Sequence, residues 1–109
     1  MIHTKKQVEN VIRMLLSDIQ REYYTKNNIY VKYENNHKIP ILNKTIANCW
    51  HIAVDVHDDQ FNKDEPASII MYINDDTLEF EGYLDCSMGR PIPLLPKKDS
   101  NGKFYLSKP

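Results

Sequence analysis

Residues 48–60 read NCWHIAVDVHDDQ, and the alternation within this stretch decides which fold the sequence predicts. Every second position is apolar, at Trp50, Ile52, Val54 and Val56. A period of two is typical of a β-strand that buries one face in a core and leaves the other face in water. The neighbours of Trp50 on the apolar face are all aliphatic, so we expect its indole to anchor the core.

The polar side of this strand carries two histidines and a carboxylate, which raises the question of a metal or catalytic site. At roughly 3.3 Å per residue, His51 and His57 would be about 20 Å apart, whereas ligand atoms lie about 2 Å from a shared ion. Asp55 and His57, about 7 Å apart by the same rise, could supply two ligands, but the pattern offers no third. We therefore interpret this side as a solvated strand face and predict no bound metal and no cofactor.

The N-terminal stretch predicts a helix. Thr4 followed by Gln7 fits a capping box, in which each side chain bonds the backbone amide of the other. Apolar residues then recur at spacings of three and four: Val8, Val11, Ile12, Leu15, Leu16, Ile19 and Tyr23. This pattern predicts a long helix that ends near Tyr24, roughly 30 Å from its start.

The remainder predicts strands, at residues 29–33, 50–56, 68–73, 78–84 and 103–106, with a hairpin across the NDDT turn at 74–77. Pro40 favours a loop with a short extended or helical piece for residues 34–48, and the prolines at 91, 93 and 96 favour an edge or irregular path. The predicted fold is α+β: a long N-terminal helix packed on one face of a four- to five-stranded, mainly antiparallel sheet whose other face can remain in water.

Composition fits one globular domain spanning residues 1–109. Apolar residues make up 41% and charged residues 27% of the chain, which argues against disorder and fibrous repeats. No stretch has the length and apolarity of a signal peptide or a membrane span, so we expect a cytoplasmic protein. In that compartment Cys49 and Cys86 are expected to be free thiols.

Charge is unevenly distributed along the sequence. Residues 55–85 contain ten acidic residues and one basic residue, whereas both flanking segments are net basic. Glu79 and Glu81 alternate with Leu78 and Phe80, so both carboxylates face away from the apolar pair and, together with Asp55 and the turn carboxylates, could form one acidic surface. The alternative is ordinary solubilising charge.

An acidic surface is unsuited to nucleic acid, because affinity there depends on neutralising phosphates, but it suits a basic protein. Phe61, Tyr72 and Tyr83 are candidate anchors by residue type. The predicted partner-binding residues are Asp55, Asp58, Asp59, Phe61, Tyr72, Asp75, Asp76, Glu79, Glu81 and Tyr83.

The layout resembles the small cytosolic immunity proteins of bacterial toxin systems, such as contact-dependent inhibition and polymorphic toxins. The resemblance covers the capped helix TKKQVENVIRMLLSDIQ, the strand WHIAVDV, the hairpin and the closing segment PLLPKKDSNGKFYL. It implies a noncatalytic protein that binds and neutralises a cognate toxin, often a nuclease. We expect the protein to be a monomer or a small homo-oligomer. The resemblance implies no role for any individual residue.

Three other functions fit the same sequence. A phage-encoded inhibitor of a nucleic-acid-binding defence protein would use the same acidic surface. A small-ligand or enzymatic domain would need a pocket between helix and sheet, near Cys49 or His51. Direct nucleic-acid binding would depend on the basic end of the chain, at Arg90, Lys97, Lys98, Lys103 and Lys108.

Overall fold

The chain begins with one α-helix, α1 (Lys5–Asp18), in a computed structural model that describes residues 1–39, 42–57, 66–87 and 90–108. The predicted capping box is confirmed: Gln7 N donates to Thr4 Oγ1 at 3.2 Å, and Thr4 N donates to Gln7 Oε1 at 2.8 Å. Among the described residues no helix has the length and apolarity needed to cross a lipid bilayer.

The helix is short, so the prediction of a long helix that ends near Tyr24 is wrong. After the C-cap, Gln20 adopts a left-handed conformation with φ of 57°. Gln20 N then donates to Ser17 O and Arg21 N donates to Leu16 O, the paired bonds of a Schellman motif. Glycine usually occupies the left-handed position, and its absence here hid the end of the helix from the sequence pattern.

Within the described residues six strands follow the helix, which corrects the predicted four to five. They are β1 (Tyr30–Ile39), β2 (Lys44–His57), β3 (Pro66–Asn74), β4 (Phe80–Asp85), β5 (Ile92–Lys98) and β6 (Phe104–Ser107). Each strand pairs with the next in antiparallel fashion, in the order β1-β2-β3-β4-β5-β6. The α+β class, the antiparallel sheet and the β3–β4 hairpin are therefore confirmed.

The additional strand length comes from two regions that were predicted to be irregular. β1 continues to Ile39 and β2 begins at Lys44, so most of the segment assigned to a loop is a hairpin. Pro40 itself lies outside the described residues. In β5, residues 92–94 pair with β4, and residues 95–98 pair with β6. Each half of β5 is thus paired on one side, which leaves an open side where a proline nitrogen is tolerated.

The main core lies between α1 and one face of the sheet. Val8, Ile12, Leu15 and Leu16 supply the helix side. The sheet side consists of Trp50, Ile52, Val54, Val56, Ile69, Met71, Ile73, Phe80 and Tyr83. Trp50 is fully buried, in edge contact with Tyr33 at 5.2 Å between ring centroids, which confirms it as a core anchor.

The opposite face of the sheet does not simply face water, contrary to the prediction. A second buried cluster there contains Ile39, Ile46, Cys49, Tyr72 and Leu84. The tip of the β1–β2 hairpin folds over β3 to reach β4, because Ile39 packs against Gly82 and Lys44 Nζ lies 3.0 Å from Glu81 Oε1. Cys49 on this side of β2 is buried, and His51 is partly covered by His37.

Candidate functional site

The seven predicted partner-binding residues that the structure describes do not all lie on the surface. The other three of the ten predicted residues, Asp58, Asp59 and Phe61, lie outside the described residues. Three of the seven, Tyr72, Asp75 and Tyr83, are buried. The remaining four, Asp55, Asp76, Glu79 and Glu81, are exposed or half-buried.

Tyr72 and Tyr83 belong to the interior, so in this fold they do not anchor a partner. Tyr83 packs in the helix-side core beside Phe80, with ring centroids 6.3 Å apart, and Tyr72 lies in the second cluster. Burial raises the pKa of Tyr72 to about 12 and also raises the pKa of Tyr83. Residue type suggested anchors, but the pairing of β3 with β4 turns the two rings into opposite cores.

Asp75 is a buried hydrogen-bond hub. Its carboxylate accepts from Trp50 Nε1 at 2.8 Å, from Ile2 N at 2.5 Å and from His3 N at 3.0 Å. Burial alone would raise the pKa of this carboxyl, but the hydrogen bonds from Ile2, Trp50 and His3 outweigh it and lower the pKa to about 2. Asp75 therefore remains charged and ties residues 2–3 to β2, which is a structural role.

Basic residues from distant parts of the chain offset the carboxylates of the β4 region. Glu79 Oε1 lies 3.3 Å from Lys98 Nζ, and Glu81 Oε1 lies 3.0 Å from Lys44 Nζ. Asp85 similarly faces Arg21 at 3.9 Å. These three basic residues belong to the net-positive flanking segments. Of the six carboxylates that the structure describes between residues 55 and 85, three thus face a lysine or arginine of the protein itself.

The β3–β4 turn presents an exposed carboxylate, Asp76, that pairs with no basic side chain among the described residues. Asp76 accepts from Asn48 Nδ2 at 3.1 Å, and Asn48 Oδ1 accepts from Tyr33 OH at 2.9 Å. Asp76 N also donates to Asn74 Oδ1 at 2.8 Å. Neutral partners hold Asp76 in one position and leave its negative charge uncompensated.

Exposed apolar side chains flank this turn. Ile2, held beside the turn by its bond to Asp75, is 66% exposed, and Met14 on the outer side of α1 is 55% exposed. A shallow groove between α1 and the turn is lined by Val11, Met14, Asp18, Thr77, Leu78, Glu79, Lys98, Gly102 and Phe104. We refer to Ile2, Met14, Asp76, Thr77 and Glu79 together as the turn surface.

The polar residues of β2 fall into separate environments. Asp55 accepts from Asn27 Nδ2 at 3.0 Å, and the side chain of His57 is not described. His51 instead lies against His37 and Tyr72, with ring centroids 5.2 Å from each. Burial, followed by the charge of His37, lowers the pKa of His51. The half-buried position of His51 corrects its assignment to a solvated face.

The neighbours of His51 on β1, Glu34 and His37, were not considered as site residues from the sequence. Donor atoms of Glu34, His37 and His51 lie within 4.8 Å of one another. The only local signal was a glutamate and a histidine three residues apart, a spacing that normally places side chains on opposite faces of a strand. The sequence therefore contains these three residues, but no pattern in it predicts that they lie close together.

Both cysteines are free thiols, as predicted. Cys49 is buried and donates to the Trp50 carbonyl oxygen at 3.5 Å. Burial, followed by the charges of Glu34 and Glu81, raises the pKa of Cys49 to about 12. Burial also raises the pKa of Cys86. Since the thiolate is the nucleophilic form, neither cysteine is activated for covalent chemistry.

A scan of protein-family models, a search of curated proteins and a search of solved structures each found no match to this chain.

Proposed function

We propose that this protein is a noncatalytic, cytoplasmic inhibitor that binds a basic protein, in the manner of an immunity protein that neutralises a toxin nuclease. The observation that carries the proposal is the combination at the turn surface of an uncompensated carboxylate, Asp76, with exposed apolar side chains, Ile2 and Met14. Apolar anchors bordered by charge are typical of protein interfaces.

The turn surface is smaller than the broad acidic surface predicted from the sequence, and we propose that it is the surface that binds the partner. Asp76 is held by Asn48, so it would meet a partner's lysine or arginine without losing side-chain entropy. The Glu79–Lys98 pair is about half exposed at both ends, and exposed pairs contribute little to stability. A partner's cation could therefore displace Lys98 and recruit Glu79 as a second acidic contact.

The proposal is tested by capture followed by a measurement of inhibition. The immobilised full chain is exposed to lysate of the native host, and the captured protein is identified, purified and assayed for its own activity. We expect a basic protein, a nuclease above all, that loses its activity in the complex. Whether that protein is a toxin or a defence protein would separate an immunity protein from a phage-encoded inhibitor.

Matched variants then locate the binding surface. Asp76→Lys, alone or with Met14→Ala, should weaken binding of the purified partner by roughly tenfold or more and should lower the association rate. Glu22→Lys makes the same charge change at an exposed position outside the turn surface and should alter the dissociation constant less than about twofold. Equal effects of Asp76→Lys and Glu22→Lys would contradict the assignment, and salt-sensitive retention of the free chain on DNA or RNA would favour the nucleic-acid alternative.

A further inference from the structure

A second polar cluster lies on β1 and β2, on the sheet face opposite α1. The nearest oxygen of Glu34 is 2.5 Å from His37 Nδ1, and the rings of His37 and His51 have centroids 5.2 Å apart. One donor atom from each of the three side chains lies within 4.8 Å of the other two. All three residues are half-buried. We call these three side chains the histidine cluster.

Strand pairing and one backbone bend bring the cluster together. His51 pairs with Lys32 and Cys49 pairs with Glu34, so Glu34 and His51 are diagonal neighbours on one face. His37, three residues after Glu34, would face the other way on a straight strand. Asn36 between them has φ of 52°, and this left-handed residue turns His37 onto the face of Glu34.

The surroundings hold the imidazoles in place. Tyr72 stacks on His37 at 5.3 Å between centroids with an angle of 24°, and its ring also lies 5.2 Å from His51. His37 Nε2 has no hydrogen-bond partner among the described residues, whereas His37 Nδ1 faces Glu34 Oε2 and is the nitrogen placed to ligate an ion beside it. Lys32 Nζ lies 3.1 Å from Glu34 Oε1, while Glu34 Oε2 is the oxygen that faces His37.

We propose that Glu34, His37 and His51 bind one divalent transition-metal ion, with Zn²⁺ as the ion best suited to two imidazoles and one carboxylate. Zinc bonds these ligands at about 2.0–2.2 Å, which places tetrahedral ligand atoms about 3.3 Å apart. The ion would replace the proton between Glu34 and His37. Small side-chain rotations would lengthen the distance between the ligand atoms of Glu34 and His37 and bring the ligand atom of His51 closer to both. Three protein ligands leave a fourth position for water.

Lys32 then acts as a positioning residue for the carboxylate. Its bond to Glu34 Oε1 leaves Glu34 Oε2 free to ligate the ion, an outer contact of the kind that orients metal ligands. The site is independent of the turn surface, because its residues lie on the face opposite α1. Failure of one proposal therefore leaves the other standing.

Zinc binding to the purified full chain tests the proposal directly. Titration of Zn²⁺ against a chromogenic chelator should give one ion per chain, and Co²⁺ should give the intense visible absorption of a tetrahedral site. Glu34→Gln and His51→Gln should each weaken Zn²⁺ binding by roughly tenfold or more. His3→Gln removes one imidazole outside the cluster and should leave the affinity within about twofold.

A measurement on the unmodified chain keeps the proposal falsifiable if a variant fails to fold. In ¹H–¹⁵N spectra of the imidazole nitrogens, Zn²⁺ should shift the signals of His37 and His51 and leave those of His3 in place. Unchanged His37 and His51 signals in the presence of Zn²⁺ would overturn the assignment. Zinc affinity that Glu34→Gln, His51→Gln and His3→Gln all lower equally would also overturn it.

Discussion

At the scale of single residues, Asp75 differs most from its sequence-based interpretation. The NDDT turn suggested two exposed carboxylates, yet Asp75 is buried whereas Asp76 is exposed. The Asp75 carboxylate accepts hydrogen bonds from the backbone amides of residues 2 and 3 and from the indole N–H of Trp50. A charged acceptor in such a position is strongly favoured in the folded state, and its loss would leave several buried donors unsatisfied.

We expect Asp75 to make stability depend on pH in the acid range. Its folded pKa of about 2 lies below the ordinary value of 3.8, so its contribution is fully present above about pH 4 and is lost as pH falls toward 2. The shift corresponds to roughly 2 kcal/mol. In urea titrations, the difference in unfolding free energy between wild type and Asp75→Asn should shrink by about that amount from pH 6 to pH 2. A difference that stays constant over this range would contradict the pKa assignment.

At the scale of elements, local sequence patterns predicted where the helix begins better than where it ends. The capping box of Thr4 was readable because both partners are three residues apart. The helix end at Asp18 could not be predicted in the same way, because the apolar spacing continues through Ile19 and Tyr23. These two residues pack on the core but lie outside the helix. The β1–β2 hairpin was missed because Pro40 masked two strands whose stability comes from pairing with each other and from docking on β4.

Docking of the hairpin tip predicts a specific coupling between Ile39 and Gly82. A Cβ added at Gly82 would lie 2.8 Å from Ile39 Cδ1, so Gly82→Ala should destabilise the fold by roughly 1–3 kcal/mol through overpacking. Ile39→Val removes that Cδ1 atom. The loss of unfolding free energy in the double variant should therefore be smaller than the sum of the two single losses, by roughly 1 kcal/mol in chemical denaturation.

Ile46→Val provides the control for this coupling. Ile46 belongs to the same buried cluster but is not among the closest neighbours of Gly82. Its effect should simply add to that of Gly82→Ala. If the effects of Ile39→Val and Gly82→Ala on the unfolding free energy were also strictly additive, the predicted steric contact between Ile39 and position 82 would be wrong.

At the scale of the whole molecule, the fold rearranges the charge pattern of the sequence. The acidic segment between residues 55 and 85 was predicted to form one surface, but Lys44, Lys98 and Arg21, from the basic flanking segments, face three of its carboxylates. Among the described carboxylates of that segment, Asp55 and Asp76 have only neutral side-chain partners, and of these two Asp76 is the exposed one. Net charge per segment is therefore a poor guide to surface potential when an antiparallel meander interleaves the segments.

Removal of two of these lysines should expose the acidic patch that the sequence suggested. Lys44→Gln combined with Lys98→Gln uncovers Glu81 and Glu79, so the variant should elute from an anion exchanger at higher salt than the wild type. Lys26→Gln with Lys108→Gln changes net charge equally at exposed positions and should have a smaller effect. Identical elution of the two double variants would show that pairing does not shape the surface field.

The sequence by itself determined the features whose signals lie within a few residues: the helix start at Thr4, the buried alternation around Trp50 and the β3–β4 hairpin. Only the tertiary structure decided which carboxylates remain exposed and how Glu34, His37 and His51 meet. The physical reason is that these outcomes depend on strand register, on the fold-over of the β1–β2 hairpin and on the left-handed backbone at Asn36. Each of these brings together side chains whose separation in the sequence carries no information about their distance in space.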